Sequence, residues 1–287
     1  MTAIYKKELR ILSCSLTGYV FSAVFLLSFG GFFVIYNVIN AQNSFSSAVS
    51  VVTLPMLVLI PILTMRSFAE ERHQKSDMLL YSLPVDMWQV TLGKFFSMVT
   101  WMLIPYAVVC LYPLGLSTLG EINFISTYAM LAAFFVLLCC MVSIGIFISA
   151  LTDSQMVAAA LSFLFFLMLY VLPLLSGGIS TSGLASLVLF TVFFLLIAVA
   201  VWALCRSIPF SLLIFFVLEL PLVGLYLKDI RYLSGRFAQM IDAVSIFYYF
   251  GAFTGGIFDI TAIVLYLSVT AVFLFFTVQV LEKRRWN

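Results

Sequence analysis

The sequence predicts an all-α integral membrane protein, a polytopic helical bundle of about eight membrane-spanning helices forming a single domain over residues 1–287. Three observations predict it. Mean hydropathy is +1.20, with 64% hydrophobic and only 9% charged residues, whereas a soluble domain carries roughly a quarter of its residues charged. Apolar runs recur along the whole chain, most of them near the ~20 residues that carry a helix across a ~30 Å hydrocarbon core. Basic residues cluster in alternate loops, as the positive-inside rule requires of a multi-pass chain.

The first element is residues 1–16. Ile4, Tyr5, Leu9, Leu12 and Leu16 share one arc of a helical wheel, while Lys6, Lys7, Arg10 and Ser13 take the other. This pattern reads as an amphipathic helix lying at the membrane surface, or as a basic flank that only sets topology. Lys6 and Lys7 before an apolar run imitate a signal peptide, but the run is too long and no A-x-A site follows, so a retained anchor is expected.

Eight apolar runs follow, at 17–39, 49–65, 95–116, 125–151, 156–175, 184–204, 208–227 and 260–281. With the N-terminus in the cytoplasm, all but three of the fourteen basic residues fall on the cytoplasmic side; the exceptions are Lys228, Arg231 and Arg236. An even number of crossings also returns "EKRRW" at the C-terminus to that side. Pro209, Glu219 and Pro221 each strain or polarise the seventh run.

Residues 66–94 form the polar cytoplasmic loop. The sequence predicts that the second span continues as helix through "RSFAEER", that Ser76 or Asp77 caps a short helix "DMLLYSL", and that Pro84 stops it. Asp86 and Gln89 have the spacing of a capping box opening the third span. Leu79, Leu80 and Leu83 are each worth about 1.5–3 kcal/mol when buried, so they either dock on a partner or fold back on their own protein or the membrane.

The segment 228–259, "KDIRYLSGRFAQMIDAVSIFYYFGAFTGGIFD", is too polar to cross and too apolar to be a free loop. One or two short helices at the outer interface are expected. Gly251 and Gly255 have small-xxx-small spacing for close helix contact, and with Gly256 they equally suit a turn.

Composition excludes several chemistries. The five cysteines, Cys14, Cys110, Cys139, Cys140 and Cys205, form neither a disulfide framework nor a CxxC pair. His73 is the single histidine, so neither a two-imidazole zinc site nor an intramembrane Ser/His hydrolase fits. A net charge of +2 gives no reason to expect nucleic acid as a partner. No GxxxxGK[ST] occurs, so the chain lacks the motif that cradles a nucleotide phosphate, and any ATP hydrolysis falls to another polypeptide.

The run "TMRSFAEERHQKSDMLLYSLPVDMWQVTLGKFF" and the ending "YYFGAFTGGIFDITAIVLYLSVTAVFLFFTVQVLEKRRW" resemble membrane subunits of type-2 class ABC exporters, in particular the gliding-motility-associated permease subfamily. The shared phrase covers Phe68–Arg72, Leu79 and Leu80, Pro84 and Val85, and Leu92, Gly93 and Lys94; relatives differ at Gln74, Lys75, Ser76 and Met78. The resemblance implies that residues 1–16, through Ile4, Leu9 and Leu12, form an elbow helix, and that the short cytoplasmic helix is a coupling helix docking in a groove of an ATP-binding subunit. It implies ATPase-coupling roles for Glu70, Glu71, Arg72, Asp77, Leu79, Leu80, Leu83 and Pro84. It further implies a six-span core with the hairpin 184–227 added, a second permease subunit, and export across a bacterial plasma membrane among membrane lipids. ATP and Mg²⁺ would be bound by the partner, and this chain would hold no cofactor and catalyse nothing itself.

Two rival classes need no ATPase. An ion-coupled secondary transporter would centre on Glu219, the one ionisable residue well inside a run; such a group binds substrate or protons, or is hydrogen-bonded within a helix interface. A non-transporting membrane scaffold is the other. The thirty phenylalanines suit an amphiphilic cargo and suit lipid tails equally, so no substrate is named.

Overall fold

A computed structural model describes residues 1–40, 44–75, 86–117, 122–178, 186–191, 217, 219–220, 224 and 235–286. Among them there is helix and no strand. The chain divides into two compact units, Met1–Met168 with Tyr249–Asn287, and Leu169–Tyr248. Six helical stretches of 24 to 30 residues are long and apolar enough to cross a membrane. They coincide with the first five runs and the last, the expected six-span core. Most of the expected hairpin 184–227 lies outside the described residues.

In the first unit, α1 (Thr2–Cys14) is the amphipathic helix, with Ile4, Leu9 and Leu12 half-buried and Lys6 and Arg10 exposed. It ends short of Leu16, because Ser15 takes an extended conformation and caps α2 (Leu16–Phe33) by accepting from the Gly18 N–H at 3.2 Å. Phe21, Phe25 and Phe29, four apart and fully buried, stack along the inner face of α2. Leu16, Tyr19 and Leu27 point outward, as a lipid-facing surface allows. The helix then widens into π turns over Val34–Ile39.

Helix α3 (Ser46–Thr64) carries Pro55 and Pro61 inside it. Each removes a backbone donor, and near the second the Thr64 hydroxyl donates to the Ile60 carbonyl at 2.9 Å. The expected unbroken extension through Arg66–Arg72 does not form. The helix stops after Thr64 and restarts as α4 (Ala69–His73). The break is stabilised from outside: Ser149 Oγ accepts from the Phe68 and Ala69 N–H groups at 3.1 and 3.2 Å and donates to the Met65 carbonyl at 3.1 Å.

Helix α5 (Met87–Val109) opens at Asp86 as expected, but not by a capping box. The Asp86 carboxylate accepts no backbone N–H; the Gln89 amide donates to it at 3.5 Å instead. After the turn α6 (Tyr112–Leu116), α7 (Phe124–Leu151) forms the most enclosed span, its start capped by Asn123. Phe134 on α7 meets Phe29 of α2 at 5.6 Å. Phe147 on α7 meets Phe273 of α11 (Ile260–Trp286) at 5.5 Å. Gly145 permits a close approach of α7 to α3, because a Cβ there would overlap the Thr64 hydroxyl.

Helix α8 (Gln155–Gly178) runs from the first unit into the second. Within the second, α9 (Arg236–Val244) starts from Gly235 at φ +72, a conformation that favours glycine. The Ser245 hydroxyl donates to the Leu169 carbonyl at 2.7 Å, and Phe190 stacks edge-on against Phe237 at 4.9 Å. Helix α10 (Ile246–Thr254) completes the expected pair of short helices. Among the described residues, Gly251 and Gly255 bring no second helix close. A Cβ on Gly251 would meet nothing, while Gly256 at φ +81 ends the helix with bonds from Gly256 N to Phe253 O and from Ile257 N to Ala252 O.

Gly145→Val should therefore lower the melting temperature in detergent by the equivalent of about 1–3 kcal/mol. Adding Thr64→Ala should recover part of the loss. An unchanged melting temperature for the single variant refutes the close approach of α3 and α7.

Candidate functional site

The ends of α1, α3, α5, α7 and α11 gather around the five-residue helix α4. A lysine is the natural centre to look for in such a cluster, since a buried ammonium needs three acceptors. Lys94, 2% exposed, has them. Its Nζ lies 3.0 Å from Glu8 Oε1 of α1, 2.9 Å from Glu71 Oε1 of α4, and 2.7 Å from the Ser67 carbonyl in the α3–α4 break. The Phe68 ring lies beneath it, 5.0 Å to the centroid. Lys7, at 3.6 Å from Glu71 and 3.9 Å from Glu8, makes the cluster two cations against two carboxylates.

The neighbour of Lys94 sets the distance. A Cβ at Gly93 would stand 3.1 Å from Ile4 Cγ2, so glycine lets α1 lie against α5. Tyr5 donates to the Thr100 hydroxyl at 3.1 Å, and Trp101 donates its indole N–H to the Gly18 carbonyl, also at 3.1 Å. The Leu-Gly-Lys phrase thus seats the first helix.

A second cluster sits on the next residue of α4. Arg72 donates to the Thr152 carbonyl at 3.1 Å and approaches Asp153 at 3.4 Å; Arg284 of α11 reaches Asp153 at 3.2 Å and the Leu151 carbonyl at 3.0 Å. Two guanidinium groups thereby meet the free carbonyls and the negative pole at the end of α7. Asp153 is 79% exposed in its side chain, so its ion pairs are solvent-screened and contribute little. The Lys94 cluster, being buried, is the stronger fastening.

Of the expected coupling residues, the structure brings Glu71 and Arg72 into these clusters. Glu70 stays at the rim, 3.9 Å from Arg66 and 3.4 Å from the Gln74 amide. Asp77, Leu79, Leu80, Leu83 and Pro84 lie outside the described residues. In the second unit, Glu219 accepts from the Thr191 hydroxyl at 2.8 Å, and its other carboxylate oxygen is buried with no hydrogen-bond partner among the described residues. Sequence reasoning missed Glu8, Ser149, Asp153 and Arg284. Glu8 had a signal: it occupies the apolar register of α1, four residues from both Ile4 and Leu12.

Lys94→Met removes the ammonium that faces the carboxylates of Glu8 and Glu71, and should cost about 3–5 kcal/mol, read as a fall in melting temperature. Combining it with Glu8→Gln should cost clearly less than the sum of the two single changes. Strict additivity would show that the lysine and glutamate do not interact.

The profile of the family described as ABC-2 family transporter protein matches residues 2–282. Comparison with curated proteins finds no match. The match takes in the first five spans, nearly all of the sixth and the whole Lys94 cluster, and with that coverage the chain belongs to the ABC-2 transporter family, whose members are membrane subunits of ABC transporters and are not themselves catalytic.

Proposed function

We propose that this chain is the permease of an ATP-driven exporter in a bacterial plasma membrane, of the gliding-motility-associated type. It builds the translocation pathway with a second permease subunit and is driven by a separate ATP-binding subunit that holds ATP and Mg²⁺. That subunit docks on residues 76–85, with Leu79, Leu80 and Leu83 filling its groove. The gathering of Lys7, Arg66, Arg72, Lys94 and Arg284 at one end of the bundle supports a cytoplasmic placement of that end and of both termini.

One observation carries the reading. Glu71, just before the docking segment, is bonded to Lys94, just after it. A displacement of the segment is therefore delivered at once to α4 and α5, to α1 through Glu8, and to α7 and α11 through Arg72 and Asp153. Helices fastened in this way move as a body, as a switch between inward and outward access requires. The amphipathic α1 lies along the membrane surface as the elbow.

A second reading, an ion-coupled carrier, is favoured only by the buried oxygen of Glu219 that has no hydrogen-bond partner among the described residues. One purification separates the two. The tagged chain, extracted in mild detergent from its native host, should bring down a Walker-motif ATPase in stoichiometric amount. Leu79→Asp with Leu80→Asp should abolish that recovery and ATP-driven transport while leaving the melting temperature unchanged. Full recovery with the folded double variant would falsify docking at this segment. Transport that survives it and fails with Glu219→Gln favours the carrier.

A further inference from the structure

Beside the Lys94 cluster, a cleft of about 390 Å³ opens between α1 and the α3–α4 break, within the size of ordinary small-molecule sites. We infer that it binds a phospholipid with a primary-amine headgroup. The inference rests on the reading of α1 as a surface helix, which places the mouth of the cleft at headgroup depth.

The cleft is amphipathic in the manner of a lipid. Its apolar wall is Leu12, Leu63 and Met98, the last two each 3% exposed. Four of its charged groups, Lys7, Glu8, Glu71 and Lys94, neutralise one another. The remaining two, Arg66 and Glu70, form a loose pair outside that group, 3.9 Å apart, with side chains 42% and 33% exposed. Their other side-chain hydrogen bonds among the described residues are at the long end of the range: Arg66 to Thr17 Oγ1 at 3.5 Å and Gln74 to Glu70 at 3.4 Å. Ser67, 3% exposed, also lines the cleft, and its hydroxyl has no hydrogen-bond partner among the described residues.

A zwitterionic headgroup matches this pair of opposite charges. Its phosphate takes the guanidinium fork of Arg66, and its ammonium takes the Glu70 carboxylate and the Ser67 hydroxyl. Chemistry separates ethanolamine from choline. A quaternary ammonium has no hydrogen to donate and is recognised by aromatic faces, and among the described residues none that line the cleft is aromatic. A purely anionic headgroup leaves Glu70 facing like charge.

The test uses the full chain, delipidated in detergent and titrated by native mass spectrometry with phosphatidylethanolamine, phosphatidylcholine and phosphatidylglycerol of identical acyl chains. The ethanolamine lipid should bind about tenfold more tightly than either of the others, the discrimination that one charge-assisted hydrogen bond supplies. Glu70→Gln should erase the preference for ethanolamine over choline, and Arg66→Gln should weaken all three lipids alike. Ser67→Ala, a smaller change, should reduce the ethanolamine affinity without lowering the melting temperature. Equal binding of the three lipids, a preference for phosphatidylglycerol, or an ethanolamine preference that survives Glu70→Gln overturns the proposal. No ATPase is present in this experiment, so its outcome is independent of whether residues 76–85 dock one.

Discussion

A single ammonium group, taken out of water and given three acceptors from three different elements, fixes the end of the bundle around α4. Removing an ion from water costs several kcal/mol even after relaxation, so Lys94 can be buried only where Glu8, Glu71 and Ser67 are all within reach. Conversely, α1, α4 and the α3–α4 break have little freedom to move without stranding a charge. The neighbouring Asp153 bridges join α4, the end of α7 and α11 but stand in solvent, and they orient rather than hold.

Away from that end, the fold follows from satisfying backbone and side-chain polar groups without water. Tyr106 donates to the Leu131 carbonyl, and the Trp101 indole to the Gly18 carbonyl. Ser143 and Thr277 turn their hydroxyls back onto their own helices. Helix α7 is the pillar because its small residues, Gly145 and Ser149, admit α3 at close range and mend the break at its end. Helices α2 and α11 supply aromatic faces to it.

The six core spans were legible in hydropathy because crossing a bilayer imposes a length and a polarity that short-range sequence displays. So was the amphipathic α1. What failed depended on distant partners. Residues 66–72 have a helical pattern, and nothing in it announces that Ser149 will offer hydrogen bonds to the broken conformation. Asp86 and Gln89 have capping spacing, yet Gln89 reaches the carboxylate and not the backbone. The glycines near 255 suited two roles, and the positive φ of Gly256 decides for the turn. The family phrase flagged Glu71 and Lys94, but their pairing with Glu8 joins residues remote in sequence. Only the misplaced carboxylate in the apolar register of α1 hinted at it.

The bond between Glu71 and Lys94 also closes a ring of chain. Holding the ends of a loop together makes its length thermodynamically cheap, since each doubling adds only about 0.6 kcal/mol of closure entropy. The stretch inside the ring need not supply that closure itself, although Arg72 and Gly93 within it still fasten the end of α7 and seat α1. The clamp makes the loop tolerant of length: residues inserted into or removed from it change the closure entropy little while Glu71 and Lys94 stay paired.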